Sequence, residues 1–262
     1  DPLAYASFNE FFTRALRPGA RPTAQRGVLA SPVDGAISQI GRLDGSRMMQ
    51  AKGHSYSLER LLDCGDAEAR WASAFVGGCF ATLYLAPFNY HRIHMPLDGT
   101  LRAAWYVPGR LFSVNAVTAA SVPALFTRNE RIVCIFEDGS PRWRQNEGHW
   151  GGAPNQTGDS RPRLFALVLV GALFVGSMET VWHGELTPCS PRKYLELPLD
   201  TARAPLRLGT GDEMGRFNMG STVILITPPN MIEWLSTVQA GDRISVGQPL
   251  GRLHASSMSA HG

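Results

Sequence analysis

Lysine is nearly absent from this chain of 262 residues: Lys52 and Lys193 are the only two, so almost all of the 25 basic residues are arginines. Pyridoxal enzymes hold their cofactor through a lysine, so that class has few candidate residues here. A formal net charge of +3 is too small to indicate a nucleic-acid partner. With 44% hydrophobic and 18% charged residues, the composition predicts a globular protein rather than a disordered one.

Paired cysteines and long apolar segments are also missing. The four cysteines are scattered and none forms a CxxC pair, which excludes the usual zinc and redox signatures and favours a reducing compartment. The longest strongly apolar run, residues 164–176, is shorter than the roughly 20 residues that a membrane-spanning helix needs. We therefore expect this run in the protein core.

Short β-branched and aromatic segments, separated by Gly, Pro and Asp turns, dominate the sequence after Pro32. This spacing predicts an α+β, mostly β fold with a lipoyl-like barrel or sandwich core and a few peripheral helices. The predicted helical segments are an N-terminal helix over residues 5–16, a short helix over 57–65 and a helical turn over 230–238.

The N-terminal helix places Phe8, Phe11 and Phe12 on one side, and Ser7 or Asn9 would be its N-cap. Two interpretations stay open, since such a face can pack against the protein or rest on a membrane surface. Because the sequence begins without Met, we expect a fragment or a trimmed chain that could have lost an N-terminal anchor.

Two other segments carry no evident chemistry. Asp138–Pro162 is rich in Gly, Pro, Arg, Asn and Gln and predicts a loop insertion. Residues 238–253 place Gly-containing turns around short apolar pairs, which resembles the hairpin of lipoyl- or biotinyl-type barrels. Those domains carry a group on a lysine, and no lysine lies nearby, so a shared fold would come without the carrier function.

Three segments supply residue types that together can activate a serine. Asp34 lies in SPVDGAIS, His91 and His94 lie in APFNYHRIHMPLDG, and Ser221 follows Gly220 at the start of an apolar strand. A carboxylate, an imidazole and a hydroxyl are the set that this chemistry needs, in any chain order. The two histidines could also suggest a metal, but no third ligand is evident nearby, so we expect none.

The serine does not stand in the G-x-S-x-G elbow of serine hydrolases, because Met219 and Val223 occupy the glycine positions. Gly220 has no Cβ, so a nucleophile can approach its carbonyl and a strained turn is tolerated. The nearest nucleophile is the Ser221 hydroxyl, which favours attack on the chain's own peptide bond. A serine hydrolase using the same carboxylate, imidazole and hydroxyl, and a lipoyl-like binding or carrier module without catalysis, stay open as alternatives.

Several segments across nearly the whole chain share their sequence and order with one family: FNEFFTRALRPGARP (8–22), SPVDGAISQIG (31–41), QAKGHSYSLERLL (50–62), YHRIHMPLDG (90–99), YVPGRLFSVN (106–115), LFTRNER (125–131), VGSMETVW (175–182) and EMGRFNMGSTV (213–223). They resemble bacterial, pyruvoyl-dependent, self-processing phosphatidylserine decarboxylase proenzymes. The processing signature, commonly LGST, reads MGST here, and the loop over 138–162 is longer than in relatives of the family.

The resemblance implies autocatalytic serinolysis between Gly220 and Ser221. Ser221 Oγ would attack the Gly220 carbonyl, with His94 as general base and Asp34 orienting its imidazole. Elimination and loss of ammonia would then turn Ser221 into a covalent pyruvoyl group. The implied cofactor is therefore this pyruvoyl group, without pyridoxal phosphate and without metal.

The resemblance also implies a single catalytic domain over residues 1–262, cut into a β-chain (1–220) and an α-chain (221–262) that stay associated. The implied reaction is decarboxylation of phosphatidylserine to phosphatidylethanolamine through a Schiff base to the pyruvoyl group. His91 is placed in the decarboxylation step, either as proton donor or in substrate binding.

The substrate lies in membranes, so the implied location is peripheral, on the cytoplasmic face of the bacterial inner membrane. A homodimer stays open, and no nucleic-acid partner is expected. The lipid phosphate needs a cationic or amide cradle, for which Arg92, Arg128 and Arg131 are candidates without an assignment.

Overall fold

The computed structural model describes residues 4–21, 27–51, 53–63, 69–139, 163–173, 177–186, 194–199, 204–218 and 222–254. Two predicted features lie outside the described residues: the junction formed by Gly220 and Ser221, and nearly all of the loop predicted over 138–162.

The described helices are short: α1 (Phe8–Phe12), α2 (Leu58–Leu62), α3 (Ala69–Phe75), α4 (Ala116–Ser121) and α5 (Leu125–Arg128). The strands are β1 (Val28–Ala30), β2 (Gly35–Arg42), β3 (Arg47–Ala51), β4 (His54–Ser57), β5 (Cys79–Tyr84), β6 (Arg92–His94), β7 (Gly99–Val107), β8 (Arg131–Asp138), β9 (Leu164–Val170), β10 (Met178–Thr180), β11 (Gly184–Leu186), β12 (Leu195–Glu196), β13 (Arg207–Leu208), β14 (Glu213–Phe217), β15 (Thr222–Thr227), β16 (Ile232–Trp234), β17 (Arg243–Ile244) and β18 (Pro249–Leu253).

A nine-stranded antiparallel sheet organises the molecule, in the order β12-β7-β8-β9-β15-β5-β2-β17 with β13 beside β7. Its central strands β9 and β15 are buried along their whole length, which explains their continuous apolar sequence. Smaller sheets join β1-β18-β16, β11-β10-β14-β6 and β3-β4.

The fold class is confirmed, with 44% strand, 13% helix and a short helix near the N-terminus. The described strands do not close into a barrel, because the large sheet ends at β12 on one side and at β17 on the other. The sequence predicts a barrel or sandwich core. The described strands form open sheets and not a closed barrel. In the described part of the chain, every helix is too short or too polar to cross a bilayer.

The helix predictions have mixed outcomes. Helix α1 is capped by Ser7, whose side chain accepts a hydrogen bond from the Glu10 backbone, and α2 lies within the predicted 57–65 segment. The helical turn predicted over 230–238 is wrong, because β16 forms there and pairs with β18. Pairing gives this backbone hydrogen-bond partners that an isolated turn would not have.

The hairpin expected over residues 238–253 is also not observed. Strand β17 pairs with β2 in the large sheet, whereas β18 pairs with β1 and β16 in a different sheet. The C-terminal strands therefore tie separate parts of the fold together instead of pairing with each other.

Candidate functional site

Three adjacent strands of the large sheet, β2, β5 and β15, bring two of the predicted site segments to the same end of the sheet. Ala36 at the start of β2 pairs with Tyr84 at the end of β5, and Tyr84 also pairs with Thr222 at the start of β15. Neighbouring strands lie about 4.8 Å apart, so Ala36 and Thr222 are separated by roughly 10 Å. Asp34 precedes Ala36 by two residues, and Ser221, outside the described residues, is joined covalently to Thr222.

Gly35 explains why a glycine follows the predicted carboxylate. A Cβ at this position would clash with the backbone carbonyl oxygen of Tyr84. The close approach of β2 to β5 therefore requires a residue without a side chain.

Asp34 is buried and already has strong partners. The guanidinium of Arg21 donates from Nε to Asp34 Oδ1 at 2.9 Å and bonds the second carboxylate oxygen through its terminal nitrogen. The backbone N–H of Val246 donates to Oδ1 at 2.9 Å. A two-pronged arginine–carboxylate pair of this kind is strong and directional. The sequence offered no signal for either partner.

His94 is held at both ring nitrogens by groups other than Asp34. Nδ1 lies 2.8 Å from the carbonyl oxygen of Gly211, and Nε2 lies 2.8 Å from the hydroxyl of Tyr90. A carbonyl only accepts, so Nδ1 carries the proton and, in the neutral ring, Nε2 accepts from Tyr90. The His94 backbone N–H donates to Pro32 O at 2.8 Å, which ties β6 to the Asp34 segment. No hydrogen bond joins Asp34 and His94, both of which are described.

Tyr90 interacts with both predicted residues: its hydroxyl hydrogen-bonds to His94, and the charge of Asp34 acts on its pKa. The pKa of Tyr90 is raised to about 12, mainly by burial; the charges of Glu213 and Asp34 contribute to the rise, whereas the charge of Arg92 opposes it. The phenol therefore stays protonated at neutral pH and remains a donor to His94. Sequence reasoning missed Tyr90, although it stands four residues before His94 within the YHRIH segment.

His91 lies in a separate, apolar environment. Its ring is fully buried and stacks on Phe12 at 3.9 Å between centroids. Nδ1 donates to the carbonyl oxygen of Asn89 at 2.8 Å, while Nε2 is buried without a hydrogen-bond partner among the described residues. Burial lowers the pKa of His91 to about 4; the Asn89 bond opposes this shift and the charge of Arg14 adds to it. The ring is therefore neutral at pH 7, with a free lone pair on Nε2.

The two histidines do not point to a shared metal. His91 contacts Phe12 and Asn89, whereas His94 contacts Tyr90 and Gly211. Within the described ranges, no group of three or more His, Cys, Asp or Glu side chains gathers around a common point.

The three arginines considered for phosphate binding differ in their availability. Arg131 is buried and donates to backbone carbonyls, and Arg92 donates to Glu213 and to the carbonyl of Thr13. Arg128 is exposed, lies over the ring of Phe112 at 4.7 Å and lines an open cavity of about 610 Å³. Arg128 is therefore the candidate of the three that faces solvent.

The comparison with known families decides the assignment. The family described as phosphatidylserine decarboxylase matches residues 8–252. The chain belongs to this family. A phosphatidylserine decarboxylase proenzyme of Bordetella pertussis is 50% identical over 252 residues, covering 95% of this chain and 76% of the relative. Proenzymes of the same name from Pseudomonas fluorescens strain Pf-5 and Pseudomonas aeruginosa are 48% and 49% identical over 96% and 95% of the chain, covering 79% and 78% of those relatives.

The match to the phosphatidylserine decarboxylase family takes in every predicted site residue, from Asp34 to Ser221. It begins at Phe8, so it also takes in the N-terminal arm, whose Phe12 and Arg21 contact His91 and Asp34. The N-terminal segment therefore contacts two of the predicted site residues.

Proposed function

We propose that the chain is a self-processing enzyme that decarboxylates phosphatidylserine to phosphatidylethanolamine, using a pyruvoyl group made from Ser221. The observation that carries this proposal is the match of residues 8–252 to the family. Relatives that share about half of their residues with this chain are named proenzymes. A proenzyme matures through a covalent change, and the Gly220–Ser221 junction offers the residues for one.

Maturation is proposed as attack of Ser221 Oγ on the Gly220 carbonyl carbon. The peptide C–N bond breaks as the ester C–O bond forms, and the nitrogen of residue 221 becomes a free amine. Loss of a proton from Cα then expels the Gly220 carboxylate and leaves dehydroalanine. This enamine tautomerises to an imine, and water hydrolyses the imine, which releases ammonia and leaves the pyruvoyl group, so water is the only co-reactant.

His94 is proposed as the base for this attack, and Asp34 as the carboxylate that orients it. In the described structure, Gly211 and Tyr90 orient His94, while Arg21 holds Asp34. The orienting role of Asp34 therefore needs a rearrangement in which Arg21 releases the carboxylate. The hydrogen bond from the His94 backbone N–H to the Pro32 carbonyl keeps the two segments adjacent during such a change.

Two buried polar atoms of the proposed site have no hydrogen-bond partner among the described residues. Thr222, joined to Ser221, buries its hydroxyl without a hydrogen-bond partner among the described residues, and His91 Nε2 is unpaired in the same way. The keto group would supply a carbonyl that captures the substrate amine and takes up the electrons left by carbon dioxide. His91, placed in the decarboxylation step, enters it neutral with a free lone pair on Nε2, which favours substrate binding through hydrogen-bond acceptance over proton donation. The apolar ring of Phe12 beside His91 would remove water from the substrate carboxylate. This desolvation favours loss of the carboxylate as carbon dioxide.

The strand pairing supports two chains that stay together after the cut. In the proposed α-chain, β15 is flanked on both sides by β5 and β9, β17 pairs with β2, and β18 pairs with β1. Every one of these partner strands belongs to the proposed β-chain. Separation would require breaking the centre of the large sheet, so we propose a stable two-chain enzyme in one catalytic domain.

A peripheral position on the cytoplasmic face of the inner membrane completes the proposal. On α1, Phe12 packs on His91 while Phe8 is 66% exposed, and Phe88, near His91 in sequence, is 78% exposed. Exposed aromatic side chains of this kind suit contact with a lipid surface that holds the substrate.

Intact mass spectrometry of the purified wild-type chain tests the maturation. We expect two chains, the smaller one blocked at its N-terminus and lighter by one ammonia than a peptide beginning with serine. Phosphatidylserine vesicles should then yield carbon dioxide and phosphatidylethanolamine. A carrier module would stay one unmodified chain, and a serine hydrolase would stay one chain that reacts with a serine-directed phosphonate. Either result would refute the proposed function.

A further inference from the structure

A polar cluster that the proposed mechanism does not use lies at the end of β14. Asn218 Nδ2 donates to Ser177 Oγ at 2.6 Å and to Glu185 Oε1 at 3.2 Å. Ser177 Oγ in turn donates to Glu185 Oε1 at 2.6 Å, which closes a ring of three side chains. Because the shared acceptor is a carboxylate, its bonds are stronger than those between neutral groups. We call these three residues the Asn218 anchor.

The anchor stands immediately upstream of the proposed cleavage junction. Only three residues separate Asn218 from Thr222, and the Gly220–Ser221 bond lies among them. Asn218 follows β14 in the four-stranded sheet, whereas Thr222 begins β15 in the nine-stranded sheet. Four Cα–Cα steps span at most about 14 Å, so the junction is a short link between two sheets.

The two ends of this link are held in different ways. Downstream, Thr222 pairs with Tyr84 on one side and with Val170 on the other, in the buried centre of the large sheet. Upstream, the Asn218 backbone N–H donates to Ser177 O at 3.1 Å, and the side-chain ring supplies the remaining polar contacts. Loss of the ring would leave Asn218 itself with that single backbone bond, directly after Phe217, which stays paired in the sheet.

We propose that Ser177, Glu185 and Asn218 are positioning residues for self-cleavage. They fix the upstream end of the link, so that the Gly220 carbonyl stays within reach of the Ser221 hydroxyl. Attack within a chain is fast when both reacting groups are already held in place, and it slows when one end is loose. The inference rests on the proposed function. It assigns the anchor no chemistry, so cleavage should depend on it and turnover after cleavage should not.

Pulse-labelled cell-free synthesis of the full chain measures cleavage directly, by following the uncut band on a denaturing gel during the chase. Asn218→Ala and Ser177→Ala should lengthen the half-time about tenfold, the effect of losing hydrogen bonds to a charged group. The double variant Asn218→Ala/Glu185→Ala should be no slower than the slower single variant, because each change already opens the ring. Glu185→Gln keeps an acceptor oxygen and should be slowed less than Glu185→Ala.

Glu179 provides the matched control. It lies opposite Glu185 in the β10–β11 register but bonds Arg216 at 2.7 Å. Glu179→Gln should therefore cleave at the wild-type rate. Thermal unfolding of each variant in the Ser221→Ala background separates lost stability from lost positioning.

Three results would overturn the anchor. The first is a wild-type cleavage half-time in the Asn218→Ala and Ser177→Ala variants. The second is a delay in Glu179→Gln as long as in those variants. The third is a tenfold loss of carbon dioxide release per cut chain in the anchor variants. A wild-type chain that stays uncut would instead refute the proposed function itself.

Discussion

Buried His91 gives the protein a pH-dependent stability that can be measured without substrate. Burial lowers its pKa to about 4, against 6.5 for a free imidazole. Between those values the unfolded chain binds a proton at His91 and the folded chain does not, so acidification favours unfolding. The stability is fully present above about pH 6.5 and falls by about 1.4 kcal/mol per pH unit, or about 3 kcal/mol over the whole window.

Urea unfolding in the Ser221→Ala background measures this loss, because that change removes the nucleophile and keeps a single chain. The comparison is with Ser221→Ala/His91→Asn, which lacks the titrating ring but keeps a side chain of similar polarity. Between about pH 6.5 and 4.5, the parent should lose about 2 kcal/mol relative to the variant. A difference in unfolding free energy that stays constant over this range would show that His91 is not held neutral by burial.

Further substitutions test the rest of the site. His94→Ala and Asp34→Asn should each slow self-cleavage at least tenfold, measured as the uncut fraction on a denaturing gel; normal processing in both would show that the roles are misassigned. Gly35→Ala should destabilise the uncut chain by about 3 kcal/mol in urea unfolding, because its Cβ meets the Tyr84 carbonyl; an unchanged midpoint would contradict that packing. Arg128→Ala should raise KM for phosphatidylserine vesicles several-fold with kcat unchanged, if Arg128 holds the lipid phosphate; an unchanged KM would exclude it.

Local sequence patterns were sufficient for the mostly β fold class and for helices α1 and α2, but they missed α3, α4 and α5. The buried run in β9 and the Ser7 cap of α1 follow from rules that act within a few residues. The turn predicted over 230–238 failed because β18, outside the short window that the pattern covers, offers an edge on which β16 pairs. Patterns alone could not decide between a closed barrel and open sheets, since closure depends on which distant strands meet.

The predicted site residues show the same difference between local patterns, which the sequence reveals, and long-range contacts, which it does not. Asp34 and His94 stand out by residue type, and the structure ties their segments together through the Pro32 carbonyl. Their actual partners are long-range, since Val246 is 212 residues from Asp34 and Gly211 is 117 residues from His94. Such contacts are set by the sheet register and leave no local signal.

Simultaneous measurement of cutting and turnover tests the central claim most directly. Samples of newly made wild-type chain, taken during maturation, would be assayed for the cut fraction by mass and for carbon dioxide released from carboxyl-labelled phosphatidylserine. The account predicts that the release rate is proportional to the cut fraction and extrapolates to zero for the uncut chain. Carbon dioxide released by a folded chain with an intact Gly220–Ser221 bond would contradict it.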